Sequence, residues 1–243
     1  MKIFNHITLE LNPAFAHLRS AMLDLPRRCC ETEAELIYNG RNRLWRIVEG
    51  GEEYVVKEFR RPNIVNRFVY GVLRASKAKR SFDNALELQS IGVGTPTAVG
   101  YLNVRSGLLF DRSYYVSLKS ECPHTYCDVL REPQPDDIIA AIARQTATMH
   151  NHGLCHKDYS RGNILYGRRA DGTVRVDVID LNRMRRGPVD IRRGCDNIHQ
   201  LPATPEMHRV YAEAYAAERG YDADECLRLV RHYRSHNLGD DQF

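Results

Sequence analysis

The chain has 243 residues, 43% of them hydrophobic and 27% charged, with a formal net charge of +4 at pH 7; this is enough apolar material for one large domain or two modest lobes and excludes a mainly disordered chain. The longest apolar run, Ile138 to Ala143, is far short of the roughly 20 residues needed to cross a bilayer. The start, Met1-Lys2-Ile3-Phe4-Asn5-His6, has neither the apolar stretch nor the cleavage site of a secretory signal, so a cytoplasmic location is expected. Seven cysteines without repeated spacing fit reduced, mostly buried thiols better than a disulfide framework.

The first predicted elements are three β-rich runs, Glu35–Tyr38, Arg43–Val48 and Glu53–Phe59. Asn39-Gly40-Arg41-Asn42 and Glu49-Gly50-Gly51-Glu52 join them into an antiparallel meander. A basic run follows, with Arg60, Arg61, Arg67, Arg74, Lys77, Lys79 and Arg80 and no acidic residue between them. Its aromatics, Phe68 and Tyr70, sit in an apolar stretch and suit a core better than a base-stacking platform, so nucleic acid is not the expected partner. From about Ser76 to Ile91 the spacing predicts a helix with Phe82, Ala85, Leu86 and Leu88 on its apolar side and Gly92 as its stop. Thr97–Leu102 and Leu108–Leu118 read as further strands.

Cys122, His124 and Cys127 have the outline of a metal knuckle but lack a fourth ligand and a second paired motif. A helix is predicted from Asp136, which can cap it, to His152, with Ile138, Ile139, Ile142 and Met149 at helical spacing. Asn163–Tyr166 and Val174–Ile179 are short strands about an Asp171-Gly172 turn, and two amphipathic helices span about 205–219 and 223–236. A second basic run holds Arg183, Arg185, Arg186, Arg192 and Arg193, opposed by Asp190 alone. The expected fold is therefore α+β and two-lobed: a β-rich lobe with one helix over residues 1–118, then a short helical lobe over 119–243.

The segment that carries chemistry is His156-Lys157-Asp158-Tyr159-Ser160-Arg161-Gly162-Asn163, an H-x-D-x-x-x-x-N pattern between a helix and a strand, as in kinase catalytic loops. Seventeen residues after Asn163, an apolar strand ends in Asp180, where kinases place a metal-binding aspartate. Upstream, Val55-Val56-Lys57 puts a lysine on the third strand of the meander. Phosphoryl transfer demands charge management more than covalent chemistry. Lys57 is therefore expected to neutralise the α- and β-phosphates of ATP, Asn163 and Asp180 to hold Mg²⁺ through oxygen, Asp158 to accept the proton of an incoming hydroxyl, and His156 to brace the loop. Gly40 and Arg41 at the first turn, and Glu121 just after the first lobe, are the remaining nucleotide-binding candidates.

These residues, with Ser76–Phe82 leading to Gly92-Val93-Gly94-Thr95-Pro96, resemble the lipopolysaccharide core kinases, the Kdo/heptose kinase group labelled WaaP or InaA. The resemblance covers most of residues 35–200. It implies a protein-kinase-like fold and phosphorylation of an inner-core sugar from ATP at the cytoplasmic face of the inner membrane. The basic runs would then face an anionic sugar or glycolipid, with peripheral contact with the membrane.

The sequence departs from the kinase pattern in three ways. The nucleotide loop has a single glycine, Gly40, so phosphate cradling rests on fewer amides and on Arg41. Counting back from Gly92, the helix position of the usual lysine-pairing glutamate is Ser81, with Asp83, Asn84 and Glu87 nearby, which leaves the partner of Lys57 open. The metal triplet reads Asp180-Leu181-Asn182 with no A-P-E after it, and about 60 residues follow, which suits small-molecule kinases. A protein kinase of the same fold is the first alternative, and the short second lobe argues against it. A nucleotide-binding pseudokinase is the second, and retention of Asp158 with both metal ligands argues against that.

Overall fold

The structure is a computed structural model that describes residues 5–30, 33–60, 75–106 and 109–238. Its chain divides into two compact units, residues 1–86 with 96–119, and residues 87–95 with 120–243. Arg61, Arg67, Phe68, Tyr70 and Arg74 of the first basic run lie outside the described residues.

In the first unit a six-stranded sheet runs in the order β1-β5-β6-β4-β3-β2, with β1 at Asn5–Leu11, β2 at Glu35–Asn39, β3 at Arg43–Glu49, β4 at Glu52–Phe59, β5 at Ala98–Ser106 and β6 at Leu109–Leu118. Every neighbouring pair is antiparallel. The meander β2-β3-β4 follows its alternation and its turns, and Gly50 and Gly51 take the positive φ values, 61° and 88°, that the second turn requires. Strand β1, which is not among the expected elements, pairs with β5 from Asn5↔Ser106 to Leu11↔Gly100. The short helical turns after it, at Pro13–Leu18, α1 at Arg19–Leu23 and α2 at Leu25–Arg28, are not among them either. Leu18, Met22, Leu25 and Cys29 from these turns pack with Ile47, Tyr54, Val56, Leu102, Tyr114 and Val116 of the sheet in one core.

Helix α3 (Lys77–Ser90) buries Phe82, Ala85 and Leu88. Leu86, expected on the same side, falls at the edge of the stripe and is 37% exposed. The Phe82 ring meets that of Tyr101 at 5.7 Å, and the Tyr101 hydroxyl donates to Glu10 Oε2 at 2.9 Å.

In the second unit, helix α5 (Asp136–Asn151) buries Ile138, Ile139, Ile142, Ala143, Thr146, Ala147, Met149 and His150, the face its periodicity marks. Its cap differs from expectation. Pro135 holds the N-cap position without a side-chain bond, so Asp136 sits inside the first turn, and Asp137 Oδ1 accepts from the Ile138 amide at 2.8 Å. Strands β9 (Ile164–Arg168) and β10 (Val174–Val178) pair antiparallel, with β7 (His124–Thr125) on the far side of β9. Two three-residue strands, β8 (Leu154–His156) and β11 (Met184–Arg186), also pair. Helices α4 (Tyr126–Val129), α6 (Ile191–Ile198), α7 (Pro205–Arg219) and α8 (Ala223–Leu238) complete this unit. Among the described residues, no helix is long and apolar enough to cross a membrane.

The segment before Pro96 is fastened to β10. Gly94 O accepts from Val178 N at 2.9 Å, the Thr95 hydroxyl donates to Val178 O at 2.8 Å, and the Gln145 amide bonds both main-chain groups of Gly94. A Cβ on Gly94 would overlap the Val176 carbonyl oxygen, which the β9 ladder holds in place. Gly94→Ala is therefore expected to destabilise the protein by roughly 1–3 kcal/mol through overpacking. In a thermal melt this corresponds to about 2–4 °C per kcal/mol for a chain of this size; an unchanged Tm would contradict the assignment.

Candidate active site

The H-x-D-x-x-x-x-N segment lies between β8 and β9 and is knitted together by its own main chain. Ser160 N donates to Asp158 O at 2.8 Å, Asn163 N to Ser160 O at 2.9 Å, and Asn163 Nδ2 to Asp158 O at 2.8 Å. The Asn163 amide nitrogen is thus turned into the loop, with a longer bond to Ser160 Oγ at 3.3 Å, which leaves Oδ1 for a ligand. Tyr159 anchors the loop from below: it is fully buried, and its hydroxyl meets Thr146 Oγ1 of α5 at 2.6 Å.

His156 is fully buried and joins the loop to the segment carrying Asp180. Its Nδ1 accepts from Asp158 N at 3.2 Å, and its Nε2 lies 3.1 Å from Ile179 O. Those partners require the neutral ring with the proton on Nε2. Burial pushes the imidazole below its ordinary value, against the pull of Asp180 and Asp158, and so favours that form. Ile179 N in turn donates to Asn163 O at 2.9 Å. One residue later Asp180 adopts φ 60°, ψ 45°. Among the described residues it alone, glycines apart, has positive φ, a conformation that costs about 1 kcal/mol or more and persists at sites where geometry is dictated from outside. Asn182 Nδ2 donates to Asp180 Oδ1.

The structure therefore brings His156, Asp158, Asn163 and Asp180 into one hydrogen-bonded arrangement. The carboxylates of Asp158 and Asp180 and the amide oxygen of Asn163 are hard oxygen donors, the chemistry that suits a divalent cation such as Mg²⁺.

Two features of the site are not among the sequence expectations. Arg183 Nη1 donates to both carboxylate oxygens of Asp158, at 2.9 and 3.1 Å. Behind the loop runs a buried polar chain: Arg219 donates to the Tyr215 hydroxyl at 3.4 Å, that hydroxyl meets His150 Nδ1 at 2.8 Å, His150 Nε2 meets Asn197 Oδ1 at 3.2 Å, and Asn197 Nδ2 donates to His156 O at 2.8 Å. Burial drives His150 down to about 4 from 6.5. A histidine held low in the fold contributes stability that is complete above 6.5 and is lost as pH falls toward 4. At about 1.4 kcal/mol per pH unit the full effect is about 3 kcal/mol. Urea midpoints are expected to fall across that window; a flat profile would contradict the chain.

Glu121 is exposed and its carboxylate pairs with Arg175, whose Nε also holds the buried Asp177 at 3.2 Å. Cys122 is buried, its thiol 3.7 Å from Arg175 O. In the first unit, Lys57 projects from β4 with its ammonium 5.4 Å from the Phe59 ring centroid. Three of the four α3 residues considered as its partner are bonded to other groups: the Ser81 hydroxyl donates to Lys77 O at 3.0 Å, Asp83 pairs with Lys79 at 3.0 Å, and Glu87 pairs with Arg186. At the β2–β3 turn Arg41 is exposed, and the Tyr38 ring lies where a Gly40 side chain would go.

Residues 37–206 match the sequence profile of the lipopolysaccharide kinase (Kdo/WaaP) family. A 3-deoxy-D-manno-octulosonic acid kinase of Vibrio parahaemolyticus is 26% identical over 157 residues, 61% of this chain; the chain spans 63% of that relative's length. WaaP, solved in complex with acyl carrier protein, superposes with a TM-score of 0.63 at 20% identity over 94% of this chain and 95% of that one. The Rio2 kinase of Chaetomium thermophilum, solved as an ADP/Mg²⁺-phosphoaspartate complex, gives 0.52 at 16% identity over 88% and 73%. The fold, a β-rich N-terminal region followed by a helical C-terminal part, is protein-kinase-like.

Proposed function

Because this chain belongs to the lipopolysaccharide kinase (Kdo/WaaP) family, we propose that it transfers the γ-phosphoryl group of ATP to a hydroxyl of a lipopolysaccharide inner-core sugar, Kdo or heptose. The observation that carries this reading is the loop geometry. Asp158 is fixed through its main chain by His156, Ser160 and Asn163, so its carboxylate is held in place without taking part in the scaffold.

The acceptor hydroxyl oxygen attacks the γ-phosphorus, the bond from that phosphorus to the bridging oxygen of ADP breaks, and the hydroxyl proton passes to Asp158. His156, neutral and locked to Ile179 O, keeps the Asp158 main chain in register with the Asp180 segment. Asn163 and Asp180 would hold Mg²⁺, which when bound neutralises charge on the phosphate oxygens. Lys57 would meet the α- and β-phosphates, with Gly40, Arg41 and Glu121 as further nucleotide contacts. Acting on a core sugar joined to lipid, the enzyme would work at the cytoplasmic face of the inner membrane, held there peripherally.

The test is transfer of labelled γ-phosphate by the purified protein with Mg²⁺ and a lipopolysaccharide core extract. Label in the glycolipid is expected. Label only in protein would instead indicate a protein kinase of this fold, and nucleotide binding with no transfer a pseudokinase.

A further inference from the structure

Arg183 begins one residue's reach from the loop. Its carbonyl accepts from Lys157 N at 3.0 Å, the first bond beyond the β8–β11 ladder, and its side chain then turns onto the Asp158 carboxylate. The ion pair is 56% exposed on the Arg183 side and 39% on the Asp158 side, and such pairs hold weakly and exchange with solvent.

Arg183 thus sits on the carboxylate that an incoming hydroxyl would meet. A guanidinium carries five N–H donors in a planar fork that suits carboxylate and phosphate. Here Nη1 alone is engaged with Asp158, and among the described residues Nε and Nη2 meet no acceptor. A hydroxyl that hydrogen-bonds Asp158 must come within about 3 Å of it. An acidic group a few bonds from that hydroxyl then reaches the open edge of the same guanidinium. Lys157, Arg161 and Arg185, close in sequence to this pair, are exposed and add positive charge to the same segments.

We infer that Arg183 is a specificity-determining residue, bridging Asp158 and a carboxylate or phosphate carried by the acceptor next to its reacting hydroxyl. This rests on the phosphotransfer reading above and narrows its acceptor to acidic sugars.

The test is calorimetric binding to the full chain with Mg²⁺ and a non-hydrolysable ATP analogue. Two acceptor pairs distinguish the acidic groups: 3-deoxy-D-manno-octulosonic acid against its carboxyl-reduced alcohol, and a heptose phosphate against the parent heptose. Wild type is expected to prefer the acidic member of one pair by about tenfold or more, the equivalent of one ion-paired hydrogen bond. Arg183→Gln is expected to bring that ratio to about one and Arg183→Lys to restore part of it. Arg192→Gln, an exposed cation of the same run, leaves it unchanged. A wild type without preference in either pair, or an Arg183→Gln that keeps the preference, overturns the assignment. Transfer assays on the same compounds separate the two readings. Equal transfer to a neutral sugar removes the role of Arg183 and keeps the kinase, whereas transfer to none removes the kinase reading while the binding ratio still decides Arg183.

Discussion

Asp158→Asn is expected to lower the rate of phosphate transfer by about 10²–10⁴-fold, the usual worth of a positioned general base, with nucleotide affinity little changed. The substitution is isosteric, and the loop's own bonds run through the Asp158 main chain, which donates to His156 Nδ1 and accepts from Ser160 N and Asn163 Nδ2. None of these depends on the carboxylate. What is lost is the group that takes the proton, together with the charge that draws Arg183 onto it. Single-turnover measurement at saturating ATP isolates the chemical step from binding. A variant within tenfold of wild type would show that Asp158 is not the base.

The second large effect is expected at Asp180, where Asp180→Asn should remove the metal dependence of nucleotide binding. Asparagine tolerates the left-handed backbone at this position and keeps a carbonyl oxygen for the Asn182 amide, so the local fold should survive. The lost negative charge is the part that a divalent cation requires. Nucleotide Kd measured with Mg²⁺ should rise by at least about tenfold, the smaller end of what loss of even an outer supporting group costs a metal site. With EDTA the variant and wild type should coincide. An Mg²⁺ dependence equal to that of wild type would contradict the role given to Asp180.

Much of this arrangement was legible because it is local. The β2-β3-β4 meander, α3, α5 and the last two helices follow alternation, helical spacing and glycine turns within a residue or two. The His156-to-Asn163 spacing likewise marks a loop whose bonds mostly close within five residues. What remained hidden depends on distant partners. β1 alternates, but the strand that makes it part of a sheet begins at Ala98. β8 and β11 are three residues each, too short for any period to show, and only their pairing brings Arg183 beside Asp158 across 25 positions. The chain from His150 to Tyr215 and Asn197 joins three helices, and a lone histidine on an apolar helix face gives no hint of it. The Asp136 cap failed because Pro135 already takes the N-cap position. Ser81, the residue at the expected pairing position of α3, directs its hydroxyl to the helix's own carbonyl, a use that sequence counting cannot distinguish from a side chain aimed at Lys57.

The most direct test of the account is the stoichiometry of the reaction on a defined core glycolipid ending in 3-deoxy-D-manno-octulosonic acid, read by mass spectrometry with ADP measured in parallel. One phosphate gained per glycolipid for each ADP formed, and none with Asp158→Asn, is the predicted result. ADP formed while the glycolipid mass stays unchanged, with phosphate released to water or carried on the protein, would contradict it.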